Sequence, residues 1–151
     1  MMPDLGNVAD SGELIDRIRA NAEQSKFNAW LGFEISDASP GDVTLQLRWR
    51  EEFGQYMGFL HAGIVAALID NACGYAAGTL AGRVLTSQFS VRCLRPAIAA
   101  TFVVRGRVVK PGKQQIFTTA ELTGLDADPS KPFAIGDAML VPVADVGAKA
   151  G

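Results

Sequence analysis

The sequence predicts an α+β fold in which a curved antiparallel β-sheet wraps one long central helix. Three observations carry this. Residues 62–80 form a nearly unbroken apolar run of helical composition. The chain from residue 84 onward holds four runs rich in Val, Ile, Phe and Thr, parted only by short turn signals. Before the apolar helix, alternation of period two in GDVTLQLRWR marks a half-buried strand. A helix that is apolar on every side has to be enclosed by protein, and the abundant strand material is what can enclose it.

Taken in order, Asp10-Ser11-Gly12-Glu13 has the form of a helix start, with Asp10 as N-cap and Glu13 three residues on. Leu14, Ile15, Ile18 and Ala22 follow at helical spacing, so an amphipathic helix is expected to about Lys26. Phe27, Trp30 and Leu31 then form an aromatic exit that docks on the core. Val43, Leu45, Leu47 and Trp49 alternate with Thr44, Gln46, Arg48 and Arg50. GFEISDA, before the Pro40-Gly41 turn, is the expected hairpin partner. After the long helix, VLTSQFSVRCL, TFVVRGRVVK, QQIFTTAELTG and PFAIGDAMLVPV read as strands, the last three joined as an antiparallel meander through KPGK and LDADPSK. The expected organisation is a helical extension over 1–26, one domain over 27–143 and a frayed small-residue tail over 144–151.

Bulk composition narrows the function. With 151 residues, 48% hydrophobic and 20% charged, the chain matches one ordinary globular domain. A net charge of −2 offers no electrostatic case for nucleic acid or an anionic membrane as partner. The amino terminus lacks a basic start followed by an apolar stretch, which argues against a signal peptide. Residues 62–82 are long enough to span a bilayer, but Asp70 at the centre costs about 2.5–3.5 kcal/mol there, more than so Ala- and Gly-rich a segment offsets. Cys73 and Cys93 fit no metal spacing and no disulfide framework, as expected for reduced thiols in the cytoplasm. No metal or cofactor is expected.

Asp70 is the one charge between Ala62 and Gly82. It can be a structural carboxylate paired with Asn71, a backbone amide or a hydroxyl. It can equally be a functional one, because desolvated ionisable groups concentrate at active sites. At the helix start, His61-Ala62-Gly63 follows the loop GQYMGFL. The first N–H groups of a helix lack partners and, with the dipole, can hold an oxyanion. His61 is either an orienting residue or a cap.

These pieces, in this order, resemble the hotdog-fold acyl-CoA thioesterases of the phenylacetate-degradation and 4-hydroxybenzoyl-CoA type. That family opens its central helix with His-Gly-Gly and places an Asp or Glu nine residues after the His. Here His61-Ala62-Gly63 is followed by Asp70, and LTSQFSVRCLRPA continues the likeness. The resemblance implies hydrolysis of an acyl- or aryl-CoA. Asp70 would be nucleophile or general base, the Ala62 amide would polarise the thioester carbonyl, Gln55 would lie near the thioester and Thr86 would help place water. Gly63 and Asn71 would sit at the substrate, and Arg92, Arg95, Lys110 and Lys113 would meet the phosphates of coenzyme A, unless they are solvated basic residues at a sheet edge. Met57, Phe59, Tyr75 and Leu80 would line the acyl pocket or simply pack. Ala62 departs from the family glycine, and its methyl narrows the approach to the amide. Two other classes stay open: an enoyl-CoA hydratase of the same fold, and a non-enzymatic acyl-CoA-binding module.

Ala62 and Asp70 are eight residues apart, about 12 Å along a helix. One carbonyl needs its nucleophile and its oxyanion donors each within about 3 Å. Two antiparallel copies of the helix at a subunit interface solve this, so a homodimer with composite sites is expected, and a dimer of dimers in line with the resemblance.

Overall fold

The computed structural model describes residues 10–144. Helix α1 (Ser11–Gln24) is capped as expected, with the Asp10 carboxylate accepting from the Glu13 N–H at 2.8 Å. The helix stops earlier than Lys26. Ser25 is extended (φ −89°, ψ 118°) and its hydroxyl accepts from the Asn28 N–H at 3.2 Å, so it starts a second helix, α2 (Lys26–Leu31). A serine that caps forward competes with continuing the helix through it. Gly32, at φ 77°, ends α2 in the left-handed conformation that glycine adopts without penalty. Of the aromatic exit, Leu31 is buried, whereas Phe27 and Trp30 stay half-exposed, Trp30 edge-on to Phe53 at 5.3 Å.

The strands are β1 (Glu34–Ser39), β2 (Asp42–Arg48), β3 (Val84–Cys93), β4 (Thr101–Lys110), β5 (Ile116–Gly124) and β6 (Ala134–Pro142). They form one antiparallel sheet in the order β1-β2-β4-β5-β6-β3. The expected hairpin and the β4-β5-β6 meander are both present, and β3 closes the sheet by pairing with β6. Helix α3 (Ala62–Ala81) lies across the inner face, giving the hotdog fold.

The inward residues of each strand meet one side of α3. Val43, Leu45, Leu47, Phe102, Val104, Leu122 and Leu140 are buried against Val65, Leu68, Ile69, Ala72 and Ala76. Each large aliphatic side chain so buried contributes about 1.5–3 kcal/mol. Close approach of helix to sheet depends on two glycines. A Cβ on Gly106 would sit 2.3 Å from the Ala72 carbonyl oxygen, and one on Gly136 would sit 2.6 Å from Ile69 Cγ2. Bulkier residues there would hold the helix off the sheet.

Enclosure of α3 is incomplete. The face bearing Gly63, Ala67, Asp70, Asn71, Gly74 and Gly78 is exposed or half-exposed, so the expectation of a helix buried all round is corrected. Its low amphipathicity arises because this open face is built from small residues instead of charged ones.

Candidate active site

The candidate residues stand at both ends of one helical segment, 61–70. His61 caps α3: its backbone is extended (φ −62°, ψ 137°) and its Nδ1 accepts from the Gly63 N–H at 2.8 Å. With Nδ1 as acceptor, the proton of the neutral ring sits on Nε2. The His61 carbonyl accepts from Ile64 at 2.9 Å and from Val65 at 3.0 Å. The first-turn amide left without a hydrogen bond among the described residues is that of Ala62, which is exposed. His61 thus orients the helix start, and Gly63 spends its amide on the cap.

Gln55 holds the preceding loop. Its Oε1 accepts from the Met57 N–H and, at 3.3 Å, from the Phe59 N–H, while its main-chain carbonyl accepts from Gly58 at 2.9 Å. Gly58, at φ 86°, makes that turn possible. Among the described residues the Gln55 Nε2 makes no hydrogen bond. Tyr56 and Met57 stand exposed at the loop tip, and Phe59 is half-buried.

Eight residues along the same helix, Asp70 is half-exposed, not buried among apolar groups as the sequence suggested. Its partner is the Thr86 hydroxyl on β3, which donates to Oδ1 at 2.7 Å. A bulge between Thr86 and Gln88 interrupts the β3–β6 ladder beside this contact, a common device for re-aiming a side chain at a site. Asn71 does not pair with Asp70; its amide donates to the Ala67 carbonyl at 2.9 Å. Among the described residues the second carboxylate oxygen of Asp70 has no hydrogen bond.

The remaining predicted residues lie farther off. By sheet register, Arg92 shares a row with Ile135, Glu121 and Arg105, whereas Lys110 shares one with Phe117 and Met139 near the other end of the strands. Two strands, β5 and β6, separate them. Arg95 follows β3 and its charge lowers the Asp128 carboxyl, itself held down chiefly by Ser130. The four cations therefore form two separate pairs within a chain, not one cluster. Period-two patterning cannot reveal which strands become neighbours.

Sequence reasoning missed a groove of about 970 Å³ that runs from Asp70 and Thr86 past Gly74 and Gly78, between α3, α1 and the start of β3. Tyr75 lines it, and its phenol pKa is raised by burial. Leu80, by contrast, is half-exposed outside that lining. Below the groove, burial raises the Cys73 thiol to about 11, so it is no nucleophile at neutral pH. Both cysteines are free thiols. Among the described residues no group of His, Cys, Asp or Glu is arranged to hold a metal ion.

A helix N-terminal amide, a carboxylate and a hydroxyl ranged along one open helix face suit polarisation and hydrolysis of a carbonyl ester. The matches to known proteins agree. The thioesterase superfamily model matches residues 57–128, the stretch that contains these groups. A candidate esterase of Halobacterium salinarum is 31% identical over 140 residues, covering 84% of this chain and 91% of its own. Human acyl-coenzyme A thioesterase 13 is 28% identical over 110 residues, covering 70% and 79%. A crystal structure of a thioesterase family protein from Silicibacter pomeroyi superposes with a TM-score of 0.78 at 36% identity, covering 85% of this chain and 96% of that one. The Escherichia coli PaaI protein, from the phenylacetic acid degradation operon, shares the fold with a TM-score of 0.80 at 20% identity, covering 90% and 97%. The molecule is an enzyme of the thioester hydrolase class. The chain belongs to the thioesterase superfamily.

Proposed function

We propose that the protein is an acyl-CoA thioesterase working as a homodimer, with the Ala62 N–H of one protomer and Asp70 of the partner subunit serving one thioester. The observation that carries this is the unbroken α3, which holds the free Ala62 amide and the Asp70–Thr86 pair about 12 Å apart. One carbonyl cannot be served by both groups of a single helix. A second copy has a natural seat. Strand β3 is an end strand ten residues long with one charge, Arg92, and with Leu85 63% and Phe89 43% exposed. Such a bare edge is a template for pairing with another chain. Docking there would bring a second α3 alongside the first. Pairing of two such dimers, through the outer faces of their sheets, is the assembly we expect beyond this.

In the reaction the Ala62 amide, at the positive end of the helix dipole, stabilises negative charge growing on the carbonyl oxygen. Asp70 then acts in one of two ways. It attacks the carbonyl carbon, expelling thiolate and leaving a mixed anhydride that water opens. Alternatively it takes a proton from a water that attacks, and the tetrahedral intermediate expels thiolate. Thr86 fixes one carboxylate oxygen and leaves the other to react. Gln55 Nε2, Gly63 and Asn71 border the reacting group, and the Arg92–Arg95 or Lys110–Lys113 pair meets the coenzyme A phosphates. A hydratase of this fold fits less well, because the single histidine has its Nδ1 committed to the helix cap.

The test is thiol release from a panel of aryl-, short- and long-chain acyl-CoA esters. Asp70→Asn should lose a factor of at least about 10² in kcat, as expected for removal of a group acting directly on the reacting carbon. Near-normal turnover by a folded Asp70→Asn protein would overturn the assignment.

A further inference from the structure

The loop that leads into α3 is a small closed hairpin. Gly54 and Leu60 form an isolated antiparallel bridge, and the Gln55 N–H donates to the Phe59 carbonyl at 2.8 Å. Its tip is bare, with Tyr56 96% exposed. The base is where the hairpin is held. There the Leu60 N–H donates to the Ala97 carbonyl at 3.1 Å, and the His61 N–H donates to the Phe53 carbonyl at 2.8 Å. Ala62 is the next residue, so the direction of its N–H follows the seat of Phe53.

Phe53 is fully buried, and two side chains from outside the hairpin grip its ring. Trp30, on α2, meets it edge-on at 5.3 Å. The Arg50 guanidinium lies 4.3 Å from its centroid and 5.3 Å from that of the Trp30 ring. Arg50 Nη2 also donates to the Trp30 carbonyl at 2.6 Å, in the last turn of α2, where helix carbonyls run out of partners of their own. Its Nε stands 3.7 Å from the Glu52 carboxylate. One planar cation thus ties the end of α2 to the ring that seats the hairpin. Stacking combined with directed hydrogen bonds is what a guanidinium supplies and an ammonium does not.

We infer that Arg50 is a positioning residue for the oxyanion end of the site: through Phe53 and His61 it aims the Ala62 N–H at the thioester carbonyl. This rests on the oxyanion role proposed for Ala62. Misplacing a reacting group by about 1 Å can cost a factor of about 10² in rate, so a clamp set back from the chemistry still governs turnover. Arg50, Trp30 and Phe53 all stand outside residues 57–128, the stretch that the family model matches.

The experiment follows thiol release by Arg50→Met and Arg50→Lys on an acyl-CoA ester that the wild type hydrolyses. Arg50→Met should lower kcat about tenfold or more with KM within about twofold, because the donor is mis-aimed while the rest of the substrate site is kept. Arg50→Lys, which keeps the charge and a donor for the Trp30 carbonyl, should recover part of that loss. An unchanged kcat would overturn the inference. So would a raised KM at unchanged kcat, which would make Arg50 a binder of the coenzyme A phosphates. In ¹⁵N spectra the amide signals of Gln55 and Ala62 should move in Arg50→Met, and unmoved signals there would also overturn it. Co-expression then assigns the defect to one end of the site. Arg50→Met with Asp70→Asn should recover to about a quarter of wild type, since each mixed dimer has one site with an intact Ala62 end and an intact Asp70. Arg50→Met with Ala62→Pro, which lacks the N–H, should not rise above Arg50→Met alone, because both defects fall on the same end. Recovery of the second mixture but not the first would place Arg50 at the Asp70 end and overturn the inference. Recovery of neither, while Ala62→Pro with Asp70→Asn does recover, would leave Arg50 a structural residue and overturn it too. Failure of Ala62→Pro with Asp70→Asn would refute the composite site instead, and the kcat and amide readouts of Arg50→Met would still decide the inference. Should Arg50→Met fail to fold, Arg50→Lys is judged in its place, and full kcat there would overturn the inference.

Discussion

Replacing Ala62 by proline removes one atom group and little else. Ala62 is the first residue of α3, the position where proline is best tolerated in a helix, because the N–H there has no helical partner. The preceding His61, at φ −62° and ψ 137°, already has the backbone that a residue before proline prefers. Among the described residues the Ala62 amide makes no hydrogen bond, so its loss leaves no acceptor there unsatisfied. Thermal unfolding of Ala62→Pro should therefore match the wild type closely. Its kcat should fall by about 10²–10³, the usual cost of losing one oxyanion donor. The stronger consequence appears on mixing. Co-expressed in equal amounts, Ala62→Pro and Asp70→Asn chains should pair at random, and about half the dimers should be mixed. Each mixed dimer has one intact site, with the amide from the Asp70→Asn chain and the carboxylate from the Ala62→Pro chain, and one doubly defective site. Thiol release should recover to about a quarter of wild type, against about 1% or less for either variant alone. No recovery, with mixed dimers demonstrated by differential tagging, would refute the composite site.

The other expectations follow from single contacts. Thr86→Ala removes a hydrogen bond to a carboxylate, worth about 1.5–3 kcal/mol, so kcat should drop about tenfold or more, and Thr86→Ser should restore it. Gly106→Ala would force a methyl toward the Ala72 carbonyl oxygen and should destabilise the fold by about 1–3 kcal/mol in denaturant titration; an unchanged midpoint would contradict the close approach of α3 to β4. The Cys73 thiol should resist a thiol reagent in the native protein at pH 8 and react once the chain is unfolded. Because burial raises its pKa from 9.0 to about 11, the folded state holds that proton more tightly than the unfolded one. Its contribution to stability is complete below pH 9 and is lost as pH rises toward 11, which Cys73→Ala should abolish in a pH series of unfolding midpoints. Single-turnover hydrolysis in ¹⁸O-water tests for an anhydride opened at the Asp70 carbonyl, since that step alone places label in the protein carboxylate, whereas general-base attack by water labels only the released acid.

Much of the fold was legible because it follows from local periodicity. The alternation of Val43, Leu45 and Leu47 and the run of 62–80 each specify an element through burial of one face, and the elements stand where that pattern puts them. The break at Ser25 escaped notice because the apolar spacing runs on across it, and only the Ser25–Asn28 contact reveals a new helix start. Capping of α3 by His61 was one of two readings the sequence left open, since imidazole is not among the usual capping groups, and the contact with the Gly63 N–H decides for the cap. The apolar character of α3 misled in one respect. Small residues on its open face score as hydrophobic, although they mark room left for something to approach.

What the sequence alone determined is the strands and the central helix, the chemical identity of the groups at 61–63 and 70, and their spacing along one helix. Helical rise is fixed by the backbone, so the 12 Å separation needed no structure. Tertiary structure decided the rest. It chose Thr86 over Asn71 as the partner of Asp70, because β3 closes the sheet beside α3 while Asn71 turns to its own helix. It parted Arg92 from Lys110, because strands adjacent in sequence are not adjacent in the sheet. It also joined Asn21, Asn28 and Tyr75, up to 54 residues apart, along one wall. Such contacts depend on how elements pack, and side-chain periodicity within a strand or helix carries no record of its neighbours.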